Sequence, residues 1–223
     1  AASDVYKRQG PDPAGPGLLH EGGANMNRID ICNMALSFLN SGRINSLDDA
    51  STAAKLCKIN YDHLRQRLLR MYPWGFAEKM AKLAQLETQG VGYAYAYAYP
   101  GDCLLLRFVF SEDHAADYEE ERQDFRVCHL GEAGQAILTD VAMAYAAYTA
   151  DIRPTGTFSA EFIDALAHIL ASVIAMPLTG NTELQNINLQ LAQQAVDLAR
   201  YQDISERERR TRYPHKYSDA RFV

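Results

Sequence analysis

Between Gly90 and Tyr99 the chain reads GVGYAYAYAY, an alternation that suits an extended strand and no other regular element. In a strand, successive side chains point to opposite faces, so Tyr93, Tyr95, Tyr97 and Tyr99 share one face and Ala94, Ala96 and Ala98 the other. Helical patterns lie on both sides of this segment. The chain must therefore change period from helix to strand and back again, which restricts it to a mixed architecture.

Ahead of the alternation, Ile29, Cys32, Leu36 and Leu39 form one helical stripe in residues 29–40. Ser51 is placed to cap a second helix, in which Ala54, Cys57, Tyr61, Leu64, Leu68 and Met71 form an apolar seam closed by Pro73. Beyond the alternation, Cys103 to Phe110 reads as an apolar strand after the Pro100-Gly101-Asp102 turn. Lys82 to Leu86, Phe125 to Leu130 and Ala136 to Thr139 read as shorter strands. Val141 to Ala150 fits a helix or a strand equally by period. A third helix spans 158–176, with Ser159 as cap and Phe158 and Ile163 as a hydrophobic staple. A fourth starts at Asn181 or Thr182, with Leu184, Ile187, Leu191, Ala195 and Leu198 read as inward.

The expected fold is α+β, mainly α. It is a four-helix bundle (26–78 and 155–204) with a small antiparallel β-sheet lobe inserted (79–154) and an extended C-terminal arm (205–223). Residues 1–25, rich in Gly and Pro, read as a disordered extension, and Met26 as the true start. Starting there removes Asp4, Lys7, Arg8, Asp12 and Glu21 and leaves the balance acidic.

Charge and composition narrow the function. The chain has 22 Lys+Arg against 28 Asp+Glu and a net charge of −6, which disfavours a strongly basic nucleic-acid reader. With 22% charged and 10% aromatic residues, global disorder is excluded. No uninterrupted apolar run approaches the roughly 18 residues of a membrane span, and no membrane partner is expected. Cys32, Cys57, Cys103 and Cys128 form no CxxC pair and have no histidine at ligand spacing, so free thiols and no metal are expected.

Motifs for nucleotide binding, nucleophile elbows and HExxH zinc sites are absent, and no cofactor is expected. His168, among Leu166, Ile169 and Leu170, reads as a packing histidine. Asp117-Tyr118-Glu119-Glu120-Glu121 offers carboxylates, but neighbours on a strand face opposite ways and do not make the pair a glycosidase needs. The tyrosine face suits a half-buried sheet or a contact with a neighbouring subunit. Stacked tyrosines can also hold sugars. No basic residue lies between Gly90 and Tyr99, so base stacking lacks an electrostatic partner. The one cationic cluster, ERERRTRYPHK at 206–216, reads as a solvated tail or as an arm that docks on an acidic partner.

Taken in order, several segments resemble one family. They include Ile31-Cys32-Asn33-Met34-Ala35-Leu36, Tyr61-Asp62, Tyr72-Pro73-Trp74-Gly75-Phe76-Ala77, Tyr93-Ala94-Tyr95, and Pro100-Gly101-Asp102-Cys103-Leu104. Ile137-Leu138-Thr139-Asp140, Asp151, Phe158, Phe162 and Met176-Pro177-Leu178-Thr179-Gly180 follow. The set is similar to the tail tubular protein A family, the head-to-tail adaptor of short-tailed bacteriophages, over nearly all of 27–200. The family tends to have His and Asn where Tyr72 and Gly75 stand, and Gln-Leu at Ala98-Tyr99. The resemblance implies a strand at 141–150.

It also implies a structural, non-enzymatic virion protein in the tail connector, assembled in the host cytoplasm. Copies would form a homo-oligomeric ring, usually a dodecamer, between the portal protein and a nozzle of the tail tubular B type, and double-stranded DNA would pass through without specific contact. Tyr93, Tyr95, Tyr97 and Tyr99 are then expected at a subunit or nozzle contact. Arg207, Arg209, Arg210, Arg212, Tyr213, Lys216 and Arg221 are expected in a portal-docking arm. The alternatives are a head-completion connector of long-tailed phages, or a carbohydrate-binding or -cleaving tail protein acting through the tyrosines and Glu119 to Glu121.

Overall fold

The structure is a computed structural model that describes residues 26–87, 92–115, 118–119 and 122–206. The expected 1–25 extension and the arm residues from Arg207 onward lie outside these.

Local chemistry sets the helix starts. The Asn27 side chain accepts from the Ile29 and Asp30 amides, and Asp30 reaches back to the Asn27 amide, a capping box that opens α1 (Arg28–Ser37). Ser51 Oγ accepts from the Ala54 amide to start α2 (Thr52–Met71). Ser159 Oγ does the same from Phe162 for α3 (Ala160–Thr179). Pro177 is inside α3 rather than at its end, and Gly180, with φ of 66°, terminates it in the left-handed conformation that glycine adopts without strain. Asn181 Oδ1 then accepts from Glu183 and Leu184 to start α4 (Thr182–Glu206).

α3 is the shared partner, since α1, α2 and α4 each pack on it. By length and composition it is apolar enough to cross a membrane, although Glu161, Asp164 and His168 interrupt the run. Most of its apolar surface is spent on the helical core, where Phe162, Leu166, Leu170 and Ile174 are fully buried with Ile31, Leu36, Leu68 and Leu69. Trp74 closes this core after α2. Its Nε1–H donates to the Leu68 carbonyl at 2.9 Å, and its ring meets Phe162 edge-on at 5.2 Å.

The β part corrects the expected fold class. In place of a small sheet lobe on a helical bundle, six strands among the described residues form two three-stranded antiparallel sheets. The strands are β1 (Glu78–Lys82), β2 (Tyr95–Ala98), β3 (Cys103–Phe110), β4 (Phe125–His129), β5 (Gln135–Thr139) and β6 (Tyr145–Ala150). One sheet has the order β1-β6-β3 and the other β2-β5-β4. β6 is central and buried on both faces, which is why its alanine-rich sequence has no amphipathic period. The first strand lies earlier than the expected 82–86. Residues 84–86 instead run along the free edge of β2, with reciprocal bonds from the Leu86 amide to Ala96 and from the Ala98 amide to Ala84. The sheets share a core of their own: Leu83, Tyr97, Leu106, Val109, Ile137, Ala146 and Tyr148. Ile152 packs against this core and the helical core alike.

Candidate functional site

The tyrosine face is only partly available to a partner. Tyr97, on β2, is 1% exposed; its hydroxyl donates to the Val141 carbonyl at 2.8 Å and accepts from the Ala144 amide at 3.3 Å. It ties the turn before β6 to β2. Tyr95 lies beside it with ring centroids 6.3 Å apart, as residues on one strand face should. Tyr93, Tyr95 and Tyr99 are half-buried. Burial pushes the Tyr99 hydroxyl up, and its hydrogen bond with Cys103 adds to this. The expected contact surface is therefore in large part the inner lining of the β core: Tyr97 cannot touch a neighbour. Ala96, on the other face of the same strand, is buried as well.

The other expected sites divide simply. Arg207, Arg209, Arg210, Arg212, Tyr213, Lys216 and Arg221 lie outside the described residues, as do Glu120 and Glu121. Glu119 is exposed. A cavity of about 270 Å³ opens elsewhere, between the end of α4 and the turn before α3, lined among others by Phe76, Phe158, Asp203 and Glu206. Asp203 there accepts from the Gly75 amide at 2.6 Å, which anchors α4 to the segment after α2. Among the described residues no group of three His, Cys, Asp or Glu is arranged to hold a metal ion. His168 packs as expected: it bonds to Asn188 Oδ1 at 3.0 Å and stacks on Phe38 at 4.1 Å.

Two clusters escaped the sequence reading. Across the joint between the helices and sheets, Arg65 pairs with Asp151 at 2.7 Å and donates to the Ile152 carbonyl at 2.6 Å. On the first sheet, Asp102 accepts from Lys79 at 2.6 Å and from the Tyr148 hydroxyl at 2.9 Å. The Lys79 hydrogen bond holds the Asp102 carboxyl low, while Asp102 in turn raises Lys79. Both shifts deepen the ordinary charge states, the reverse of what a proton-transfer pair near neutral pH needs.

The largest departure is on α4. Asn188, Ala192, Val196 and Ala199 are its buried residues. Ile187, Leu191 and Leu198, read as inward, are exposed, and Tyr201 joins them; the four range from 39% to 69% exposed. They recur at steps of 4, 7 and 3 residues, so they form one stripe beside the buried face. The short side chains of Ala192 and Ala199 let α4 approach α3 closely, and Asn188 fixes the rotation by its bond to His168. The bulky residues are thereby turned outward.

No protein-family model and no curated protein matches this chain.

Proposed function

We propose that this chain is a structural head-to-tail adaptor of a short-tailed bacteriophage. It would be one copy of a ring held between portal and tail nozzle, through which double-stranded DNA passes. The observation that carries the reading is the outward apolar stripe of α4. Contiguous exposed apolar surface on a folded chain marks a contact with another macromolecule, and an adaptor ring offers one on every copy. The ordered segments that resemble the tail tubular protein A family support the same reading. The acidic balance of the chain suits a conduit, since DNA crosses it without its phosphates being held.

In this reading the cationic arm (Arg207, Arg209, Arg210, Arg212, Tyr213, Lys216, Arg221) grips the portal, and the half-buried Tyr93, Tyr95 and Tyr99 border a nozzle or subunit contact. The protein acts in the virion tail, after assembly in the host cytoplasm. Negative-stain imaging of the purified chain mixed with its portal tests this. Rings stacked coaxially on the portal are expected; a chain that neither forms rings nor binds portal refutes it.

A further inference from the structure

The α4 stripe needs a surface to cover it, and the chain carries a complementary one. α4 has four carboxylates, Glu183, Asp197, Asp203 and Glu206, against the single cation Arg200; Asp203 is committed to the Gly75 amide, while Glu183 and Asp197 stand one turn from Ile187 and Tyr201 of the stripe. α2 has the opposite balance: Lys55, Lys58, Arg65, Arg67 and Arg70 against the single carboxylate Asp62. Arg65 is committed to Asp151, and Lys58 pairs with Asp48. Lys55, Arg67 and Arg70 stay exposed on the outer side of α2. Ile59, 73% exposed, stands on the same side one turn from Lys55 and from Asp62, whose carboxylate is paired with Arg28 and Arg65, and Met71 follows at the helix end, also exposed. A helix side that carries Ile59 with Lys55, Arg67 and Arg70 is the counterpart of an apolar stripe bordered by Glu183 and Asp197. Within one copy the two faces are not packed on each other, because both helices use their inner sides on α3.

We infer that copies of this chain join head to tail, with the Ile187, Leu191, Leu198 and Tyr201 stripe of one copy lying on the Lys55, Ile59, Arg67 and Arg70 face of the next. Two α4 helices pairing with each other would bring like charges together; α4 on α2 brings opposite charges together. Because the two faces differ, the contact is heterologous and every copy keeps one of each free for the next. This deepens the adaptor reading and rests on it for the expectation that the chain of contacts closes into a ring.

The test uses two variants of the full chain. Leu191→Glu with Leu198→Glu spoils the stripe; Ile59→Glu with Arg67→Glu spoils the α2 face. All four positions are exposed, so thermal melts by circular dichroism should match the unchanged chain and confirm folding. In light scattering coupled to size exclusion, the unchanged chain should form assemblies and each variant alone a single-chain mass. An equal mixture should give a two-chain mass, one good stripe meeting one good α2 face and no more.

An α2-face variant that still assembles by itself, a mixture that remains at single-chain mass, or an unchanged chain that never associates overturns the inference. Rings that form through another face overturn it and leave the adaptor reading intact. Assembly through these two faces without portal binding does the reverse.

Discussion

The Arg65 guanidinium stands 2.7 Å from a carboxylate oxygen of Asp151, with 2% of the arginine side chain and 13% of the aspartate exposed. Arg65 belongs to α2 and Asp151 to the segment that leaves β6, so the pair joins the helical core to the β core. Gln66 and Arg153 also donate to Asp151. Removing one partner of a buried pair strands the other charge. Arg65→Met is therefore expected to cost about 3 kcal/mol in urea unfolding, and Arg65→Met with Asp151→Leu less than the two single changes summed.

The same pair gives a pH dependence. Burial pushes the Asp151 carboxyl up, but its bonds to Arg65, Arg153 and Gln66 outweigh that and hold it below the usual carboxylate range. The folded value lies below the unfolded one, so the stability contributed is full above the unfolded value of about 3.9 and is lost as pH falls through the folded value. Urea midpoints measured across that acid range should fall less steeply for Asp151→Asn than for the unchanged chain. Equal slopes would show that the pair does not govern acid unfolding.

Tyr97→Phe keeps the buried ring and removes the hydroxyl that serves both Val141 and Ala144. Two backbone groups lose their partner in the β core, at a cost of about 1–3 kcal/mol. Trp74, the one tryptophan, sits in the helical core and reports that half by its fluorescence. Its native emission should be unchanged while the thermal midpoint drops. An unchanged midpoint would mean that the hydroxyl contributes nothing net.

Asn33 is buried and bonds Ile44 through both its atoms, accepting from the amide at 2.8 Å and donating to the carbonyl at 3.0 Å. It fastens the loop between α1 and α2 to α1. Asn33→Leu should cost about 2 kcal/mol and speed hydrogen exchange at the Ile44 amide. Unaltered exchange there would locate the loop's anchor elsewhere.

Deleting residues 205–223 removes the arm's cations and only the last two residues of α4. Portal binding should disappear while the circular dichroism melt stays put. Portal binding at full strength after the deletion would assign the docking role to another surface.

What the sequence discloses follows the range of the physics. The caps at Ser51 and Ser159 and the strand at Cys103–Phe110 depend on neighbours a few residues away, and they read correctly. The extent of the β part does not, because β6 pairs with β1 on one side and β3 on the other, partners far off in the chain. α4 departs from its apparent period for a similar reason. Its sequence offers two apolar stripes at helical spacing, and the choice falls to small residues and to a bond between Asn188 and His168 that periodicity does not contain. The Tyr-Ala alternation fixes the strand and face of Tyr97, but whether that face meets water, a partner or the molecule's own interior is decided by β5 and the turn before β6.

The position of α3 has a consequence for synthesis. α1 and α2 emerge from the ribosome first, yet the surface they are shaped to cover arrives only with residues 160–179. The β core is drawn from residues 83–150 and is complete in chain order before α3 begins. The apolar seams of α1 and α2 therefore lack their main cover until residues 160–179 reach them, on the far side of the whole β core in the chain.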